Sequence, residues 1–216
     1  SRGGKQDVEL VYCSQLVRDF IGRDGRVHWS PIDIQRFAPG ERLPGSDADR
    51  FVVGRLSRDG SSKFGSHNAA LYRALVEDGC TVRLMGATCM REELGDTPGI
   101  EILAARTEDA TEFLRGLDCF VYRTSERWTE PWGRVVTEAM ACGIPVVVEN
   151  RGGYTAIIDH GKTGFVFETN EQALELILAL KADPALCQQV GAAGRGRCDE
   201  VFGQEALQEP LAFYMR

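Results

Sequence analysis

The sequence predicts an α/β fold built on a doubly wound, mostly parallel sheet of six strands. Short apolar runs alternate with helical patterns from Phe51 onward, and this alternation is typical of βαβ units. The candidate strands are, in chain order, FVVG, TVRLMG, IEILA, DCFVY, IPVVVE and GFVF. A chain of 216 residues with 43% apolar and 26% charged residues is large and apolar enough for one well-formed core.

Segments between these strands carry helical signals. The pattern from Ser66 to Asp78 predicts a helix that stops at Gly79. Its expected core face consists of Ala70, Leu71, Ala74 and Leu75. Thr107 is the expected N-cap of the helix after IEILA, and Asn170 is expected to precede the helix EQALELILALKAD. The core stripe of that last helix is expected to contain Leu174, Ile177 and Leu178.

The stretch EPWGRVVTEAMACGIPVVVE, residues 130–149, is the most informative part of the chain. A Pro-aromatic-Gly turn leads into a short helix, and Gly143 followed by Pro145 ends it, so the helix should run from about Arg134 to Cys142. The unpaired amides and the dipole at its N-terminus favour a bound anion such as phosphate. The sequence therefore predicts an anion site at this strand-loop-helix unit.

Two carboxylates flank this predicted site. Glu130 lies just before the helix, and Glu138 follows it eight residues later, in the middle of the helix. Glu138 could form an exposed ion pair with Arg134, four residues earlier, and Glu130 could be a solvated loop acid. Alternatively, both bind hydroxyl groups of a phosphorylated ligand, and the surrounding residues favour this second interpretation.

These residues form a pattern that resembles glycosyltransferase family 4, which comprises retaining enzymes of the GT-B fold. The resemblance is carried by Glu130, Gly133, Glu138, Ala139, Met140, Gly143 and Pro145. It implies that the sheet is the Rossmann-like, C-terminal half of a GT-B fold, which binds the nucleotide-sugar donor. It also implies that Glu138 binds the ribose hydroxyls and Glu130 the hydroxyls of the donor sugar. Backbone amides around Trp132, Gly133, Arg134 and Val135 would approach the diphosphate or the sugar.

A second candidate element is the loop GRLSRDGSSKFG after the first strand. Arg55 and Lys63 on this loop could neutralise a diphosphate, and fixed cations stabilise a departing nucleotide more as its charge grows. In the family, a G-R-x-x-x-x-K loop contacts the donor phosphates, and Gly54 and Arg55 match it directly. Lys63 lies farther along than the usual lysine, so either Lys63 or Arg58 is the second phosphate cation.

The third element, NRGGYTAIIDHGKTGFVF, resembles the Gly-Gly turn of the family. Gly152 and Gly153 would permit close approach of the backbone to the donor, and a turn that enters a helix without any ligand is the equal alternative. The family often has a glutamate where this chain has Ala156. Trp128 and Trp132 near the second element are interpreted as packing side chains rather than as a stacking platform for a sugar.

The resemblance also predicts the domain organisation. Residues 1–50 are expected to be a remnant of an N-terminal acceptor domain with its linker, because Asp33, Phe37 and Pro39 match the linker motif Asp-x-x-x-Phe-x-Pro. A loop-rich N-terminal lobe is the alternative. Residues 51–200 form the expected nucleotide-sugar-binding domain. Residues 201–216 form a C-terminal crossover helix, expected to break near Pro210 and to lack its docking surface.

Composition excludes several classes of function. A formal net charge of -7 and a pI near 5.1 argue against a nucleic-acid partner. Seven cysteines without a C-x-x-C pair argue against a disulfide framework or a zinc site, and they fit a reducing cytoplasm. No apolar run is long enough for a transmembrane segment. The expected location is cytoplasmic, with peripheral association at the inner membrane face as an option.

The resulting hypothesis is the donor half of a retaining glycosyltransferase. Arg55, Lys63 and Glu130 are its expected catalytic residues, and Gly54, Glu138 and Gly153 are expected to bind the donor with them. The resemblance implies front-face displacement without a covalent protein nucleophile, and neither a metal nor a cofactor is expected. The acceptor is a saccharide, a lipid or a small molecule bound by the missing domain. A stand-alone nucleotide-sugar binding module is the alternative, and a GT-B epimerase or phosphorylase is a weaker one.

Overall fold

The protein is described by a computed structural model that covers residues 8–40 and 50–215. Its main sheet contains six parallel strands, which confirms the predicted fold class. A separate pair of short parallel strands, β1 (Val11–Tyr12) and β2 (Arg26–Val27), lies near the N-terminus. The strands of the main sheet are β3 (Phe51–Leu56), β4 (Cys80–Met85), β5 (Ile100–Leu103), β6 (Cys119–Tyr122), β7 (Val146–Glu149) and β8 (Phe165–Phe167).

The order of the strands across the main sheet is β5-β4-β3-β6-β7-β8. The chain therefore builds outward from β3 in one direction and then returns to place β6 on the other side of β3. This is the strand order of doubly wound dinucleotide-binding folds, in which ligands bind beyond the carboxyl ends of the strands where the order reverses. Here the reversal lies between β3 and β6.

Helices cover both faces of the sheet. They are α1 (Gln15–Ile21), α2 (Ser66–Glu77), α3 (Arg91–Leu94), α4 (Ala110–Arg115), α5 (Arg134–Ala141), α6 (Asn170–Ala182), α7 (Pro184–Phe202) and α8 (Gln208–Tyr214). Alternate residues of a strand point to opposite faces, so Phe120 belongs to one core cluster and Val121 to the other. Burial on both faces explains why the central strands read as continuous apolar runs.

Two predicted helix starts are wrong by one or two residues. Asp109 rather than Thr107 caps α4, because its carboxylate accepts a 2.8 Å hydrogen bond from the amide of Thr111, whereas the Thr107 hydroxyl donates to a turn. Thr169 rather than Asn170 caps α6, and Gln172 completes a capping box with it. Both observed caps are local hydrogen bonds to the backbone two or three residues later, and Thr, Asp and Asn are all favoured at an N-cap, so residue preference alone did not separate the candidates.

The predicted core faces of α2 and α6 are confirmed only in part. On α2, Leu71 and Leu75 are buried as expected, whereas Ala74 is half-buried and Ala70 is exposed. On α6, Ile177 is fully buried, but the predicted partners Leu174 and Leu178 are only half-buried. The fully buried positions that complete the α6 stripe are Ala173 and Leu180.

The N-terminal segment packs against the main unit. Residues 28–40 contain no regular helix or strand, yet Ile32 and Phe37 are buried in one of the two core clusters. Helix α8 contacts the same segment, because Arg26 forms a 2.8 Å ion pair with Glu209 and the His28 ring packs edge-on against Phe213. The C-terminal helix therefore has a docking surface within the chain, contrary to expectation.

Pro210 does not break the C-terminal helix. It lies in the first turn of α8, where the missing amide hydrogen has no intrahelical partner to lose. Among the helices of the described residues, none is both long and apolar enough to cross a membrane. The predicted boundaries of the acceptor remnant and of the donor domain stay predictions.

Candidate functional site

A cavity of about 410 Å³ lies beyond the carboxyl ends of β3 and β6, at the reversal of strand order. Its volume falls within the usual range for a site that holds a small ligand. It is lined by Ser30, Ser57, Arg58, Lys63, Tyr122, Glu130, Pro131, Trp132, Gly133, Arg134 and Val135. The structure thus brings together residues from the predicted cation loop and from the predicted anion site.

Lys63 and Glu130 form an ion pair in this cavity. The Lys63 ammonium donates to Oε2 of Glu130, and the two side chains are only 11% and 14% exposed. The hydroxyl of Tyr122, the last residue of β6, donates a 3.0 Å hydrogen bond to the same oxygen. These two donors hold the Glu130 carboxylate in a defined orientation.

A short 3₁₀ helix, Ser61–Lys63, explains how Lys63 reaches the cavity despite the longer loop. Tight coiling shortens the loop, so the extra residues do not carry Lys63 away. Arg58 on the same loop also lines the cavity and is exposed. Both predicted candidates for the second phosphate cation, Lys63 and Arg58, therefore line the same cavity. Of these two residues, only Lys63 is paired with Glu130.

The loop that carries Arg58 is anchored by Asp59. The Asp59 carboxylate accepts hydrogen bonds from the amides of Thr88 and Ala105, at 2.7 Å and 2.8 Å. Burial opposes ionisation of Asp59, but these hydrogen bonds outweigh it and lower the pKa of the carboxyl group. Asp59 consequently stays ionised near neutral pH and ties the cation loop to the loops after β4 and β5.

The structure corrects the expectation that Arg55 is an open phosphate cation. Arg55 is fully buried, and its guanidinium donates to the backbone carbonyls of Arg123 and Lys63. It lies 4.1 Å from the ring centroid of Phe64 and 4.7 Å from that of Tyr122. Arg55 therefore connects the cation loop to the loop after β6 and positions the cavity residues without lining the cavity.

Gly54 also has a packing role rather than a direct one. A Cβ atom at this position would lie 2.3 Å from a methyl carbon of Leu117, so a glycine is needed here for Leu117, which follows α4, to pack against β3. Gly54 does not line the cavity. The match of Gly54-Arg55 to the family loop thus marks a structural element beneath the site.

Gly133 begins α5 at the wall of the cavity. Its φ of 82° lies in the left-handed region, and an added Cβ would lie 2.6 Å from the Tyr154 ring. The chain turns sharply here, and the first residues of α5, Arg134 and Val135, line the cavity, where the first amides of a helix have no intrahelical partner. The helix dipole adds positive potential beside Lys63 and Arg58.

Glu138 does not line the cavity that Glu130 lines. Its side chain is 11% exposed, and its carboxylate lies 3.4 Å from the Arg134 guanidinium. Burial raises the pKa of Glu138, and the nearby charges of Arg134 and Arg36 offset this only in part. The two carboxylates thus lie in different environments, one in a polar cavity and the other largely desolvated on the helix.

Gly153, which was expected to approach the donor, contacts the loop that carries Glu130 instead. Its amide donates a 2.9 Å hydrogen bond to the carbonyl oxygen of Glu130, and a Cβ here would lie 1.9 Å from the Pro131 carbonyl oxygen. Gly153 lies outside the cavity lining and holds the loop that presents Glu130. The hydroxyl of Ser14 donates to the same Pro131 carbonyl at 2.5 Å.

Trp132 is 4% exposed and stacks on Trp29 with ring centroids 5.3 Å apart, which agrees with its interpretation as a packing residue. Trp128 is 38% exposed, and the Lys63 ammonium lies 5.2 Å from its ring centroid. Trp128 thus remains accessible at the side of the ion pair.

Sequence reasoning missed two groups of residues. Tyr122, which orients Glu130, ends an apolar strand, and its position at the carboxyl end of that strand was the available signal. The other group holds the loop after β6. Arg151 donates to the carbonyls of Thr124, Ser125 and Glu126, and its guanidinium lies 3.2 Å from the buried Glu149 carboxylate.

No metal-binding cluster of three or more His, Cys, Asp or Glu residues occurs within residues 8–40 and 50–215.

Comparison with known proteins gives a family-level match. The family model described as "Glycosyl transferases group 1" matches residues 87–197, which is more than half of the 216 residues. This range contains Glu130 and Glu138 but begins after the cation loop of Arg58 and Lys63.

Curated relatives of the chain include glycosyltransferases. The chain is 26% identical over 175 residues to the capsular polysaccharide biosynthesis glycosyltransferase CapM of Staphylococcus aureus. The aligned region covers 76% of this chain and 45% of CapM. It is 36% identical over 106 residues to the human alpha-1,3/1,6-mannosyltransferase ALG2, which covers 47% of this chain and 24% of ALG2. The chain thus spans less than half the length of these relatives.

Solved structures show the same fold. The structure of Anabaena Alr3699/HepE in complex with UDP and glucose has a TM-score of 0.78 and 22% identity, and covers 96% of this chain and 62% of that one. A glycosyltransferase from Rickettsia africae has a TM-score of 0.80 and 17% identity, with 95% and 62% of the two chains covered. The C-terminal domain of the group 1 glycosyl transferase LpcC from Francisella tularensis has a TM-score of 0.62 and 19% identity. In that case 82% of this chain and all of that one are covered.

Proposed function

Because this chain belongs to the group 1 glycosyl transferase family, we propose that it is the donor half of a retaining enzyme that transfers a sugar from a nucleoside diphosphate. The observation that carries the proposal is the convergence of two cations, an oriented carboxylate and a helix N-terminus on one cavity. An acceptor saccharide, lipid or small molecule binds to an N-terminal domain, and the cytoplasm is the proposed location.

The diphosphate of the donor binds between the cation loop and the start of α5. Arg58 and Lys63 supply positive charge from one side, and the first amides of α5 supply hydrogen-bond donors from the other. The charge of the nucleotide increases as the bond to the sugar breaks. Fixed cations and amides at that position therefore stabilise the transition state more than they stabilise the bound nucleotide sugar.

The donor sugar lies against Glu130. Tyr122 and Lys63 occupy one oxygen of the carboxylate, so the other is free to accept a hydrogen bond from a sugar hydroxyl. Glu138 accepts hydrogen bonds from the ribose, and its ionisation is favoured once those hydroxyls surround it. The nucleotide therefore extends from Glu130 along α5 toward Glu138.

Retention of the anomeric configuration follows from front-face displacement, in which the departing diphosphate takes the proton of the acceptor hydroxyl. This step needs the donor phosphate and positioned cations from this chain, and it needs no covalent nucleophile, cofactor or metal ion. The complex of the Anabaena relative with UDP and glucose supports the choice of a nucleotide-sugar donor. It does so by analogy, because its 22% identity establishes only the fold.

Calorimetric titration with UDP, GDP and ADP tests donor binding. At least one nucleotide should bind, and Lys63→Ala should weaken it about ten-fold, since a charge-assisted contact to phosphate contributes on the order of 1.5 kcal/mol or more. Lys162→Ala is the matched control, because Lys162 is 74% exposed and lies outside the cavity. No heat with any nucleotide would refute the proposal.

Complementation tests the transfer reaction. The chain is combined with a separately produced acceptor-binding domain, and the anomeric configuration of the product is read by NMR. Transfer with retained configuration supports the enzyme, and an inverted product refutes the retaining mechanism. Nucleotide binding without any transfer would instead indicate a stand-alone binding module.

A further inference from the structure

The Lys63 side chain, which the proposed function assigns to the donor phosphate, already has a carboxylate partner within the protein. The Lys63 ammonium contacts Oε2 of Glu130, and both side chains are more than four-fifths buried. The ammonium also lies 5.2 Å from the ring centroid of Trp128, which closes another side. Arg58, by comparison, is exposed and has no ion pair among the described residues.

Lys63 and Glu130 have different ligands in the proposed function, on which this inference rests. Lys63 binds a phosphate, whereas Glu130 binds a sugar hydroxyl. While the pair is intact, the positive charge of Lys63 and one oxygen of the Glu130 carboxylate are used by each other. We infer that Lys63 is transferred from Glu130 to the donor diphosphate, and that this exchange gives the Glu130 carboxylate its full negative charge and acceptor capacity for the sugar only when a diphosphate is present.

Tyr122 makes the exchange possible without loss of the Glu130 geometry. Its hydroxyl donates to the same carboxylate oxygen at 3.0 Å, so one donor remains when Lys63 leaves. The Tyr122 ring is 1% exposed and packs edge-on against Tyr154, with centroids 5.5 Å apart. Desolvation raises the pKa of Tyr122, so the hydroxyl keeps its proton and remains a donor at neutral pH.

The exchange has an energetic consequence. In the wild type, a diphosphate must compete with the Glu130 carboxylate for Lys63, so part of its binding free energy is used to open the ion pair. Removal of the negative charge of Glu130 therefore strengthens diphosphate binding and weakens sugar recognition. A residue that only bound the sugar would show the second effect without the first.

The decisive variant is Glu130→Gln, which keeps the size of the side chain and can still accept from Tyr122. The matched control is Glu126→Gln on the same loop, because the Glu126 carboxylate is paired with His67 at 2.6 Å and does not contact Lys63. Affinities are measured by calorimetry for the tightest of UDP, GDP and ADP, for its glucose conjugate and for its free nucleoside. Circular dichroism confirms that each variant is folded.

We expect E130Q to bind the nucleoside diphosphate about five-fold more tightly, which is the effect of one partly buried ion pair. Its affinity for the free nucleoside should stay unchanged, and the glucose conjugate should lose its advantage over the diphosphate. E126Q should stay within about two-fold of the wild type for all three ligands. Equal or weaker diphosphate binding by E130Q would overturn the inference while the proposed function stands.

Fluorescence provides a second readout of the exchange. Departure of the Lys63 ammonium from the face of Trp128 should change the indole emission when the diphosphate binds. The same change should be absent in Trp128→Phe, which separates it from Trp29 and Trp132. A diphosphate that binds without any Trp128 signal would contradict the movement of Lys63. No binding of any nucleotide to the wild type would reject the proposed function and this inference together.

Discussion

The amide of Gly153 donates a 2.9 Å hydrogen bond to the carbonyl oxygen of Glu130. Through this bond, the Gly-Gly turn after β7 supports the loop after β6, and the loop in turn presents the Glu130 carboxylate to Lys63 and Tyr122. The geometry of the candidate site is thus set by backbone contacts between neighbouring strand-end loops, and several predictions depend on these contacts.

Gly153→Ala should disturb this support. The added Cβ would lie 1.9 Å from the Pro131 carbonyl oxygen, so the loop must move, at a cost of about 1–3 kcal/mol in the free energy of unfolding. Nucleotide affinity should fall together with stability. Chemical denaturation and calorimetry measure the two effects.

Gly196→Ala is the matched control for that substitution. Gly196 is an exposed residue within α7, and an added Cβ would meet nothing within 4 Å. Alanine should therefore stabilise the protein by about 0.5–1 kcal/mol through helix propensity, with no change in binding. Equal effects at both glycines would show that Gly153 has no special role.

Substitutions of Arg55 and of Arg58 should have different effects, the first mainly on stability and the second mainly on diphosphate binding. Arg55→Met leaves two carbonyl groups beside a buried site without their donor, and about 2–4 kcal/mol of unfolding free energy should be lost. Arg58→Ala should change stability by less than about 0.5 kcal/mol, because Arg58 is exposed, but it should weaken diphosphate binding. Thermal denaturation with calorimetry distinguishes them, and a stable R55M protein would contradict the positioning role of Arg55.

Glu138→Gln should stabilise the ligand-free protein in a pH-dependent way. Burial raises the pKa of Glu138, so the folded state binds its proton more tightly than the unfolded state does. The stabilisation from the neutral carboxyl group is complete below the unfolded pKa and is lost as the pH rises through the folded pKa. The stability gain of E138Q should therefore appear at neutral pH and vanish in acid, as denaturation at a series of pH values would show.

The same variant should bind nucleotide less tightly. If the ionised Glu138 accepts hydrogen bonds from the ribose, wild-type affinity should fall as the pH decreases through the raised pKa, and E138Q should lack this dependence. Calorimetry from about pH 4.5 to pH 8 tests it. Flat affinity for the wild type would indicate that Glu138 does not contact the nucleotide.

The cysteines should differ widely in reactivity. All seven are free thiols, and Cys89 is the exposed one. Burial raises the pKa of Cys142 and of Cys198 to about 12, so neither forms a reactive thiolate near pH 8. Alkylation of the native protein followed by mass spectrometry should label Cys89 first, and Cys89→Ser should remove the fast phase. Rapid labelling of Cys142 would contradict the described burial.

Much of the fold follows from the sequence alone. Apolar runs predicted all six strands of the main sheet. The central strands β6 and β7 are buried on both faces, where Val, Ile, Leu and Phe have few alternatives, whereas the edge strand β5 is only partly buried. Gly143 and Pro145 predicted the end of α5 within one residue for a similarly local reason. Glu130, Glu138 and the cation loop are all expected at one cleft, since these elements follow parallel strands whose carboxyl ends meet at one edge. Glu130 and the cation loop do line one cavity, whereas Glu138 lies outside it.

Only the tertiary structure decided what each of these residues does. An arginine after a strand reads as a phosphate ligand, yet Arg55 is buried between Phe64 and Tyr122, and the exposed Arg58 faces the cavity instead. The 67-residue separation of Lys63 and Glu130 hides their ion pair from any local pattern. Sequence spacing specifies which elements form and where they end, but the direction of a long side chain depends on packing against residues distant in the chain.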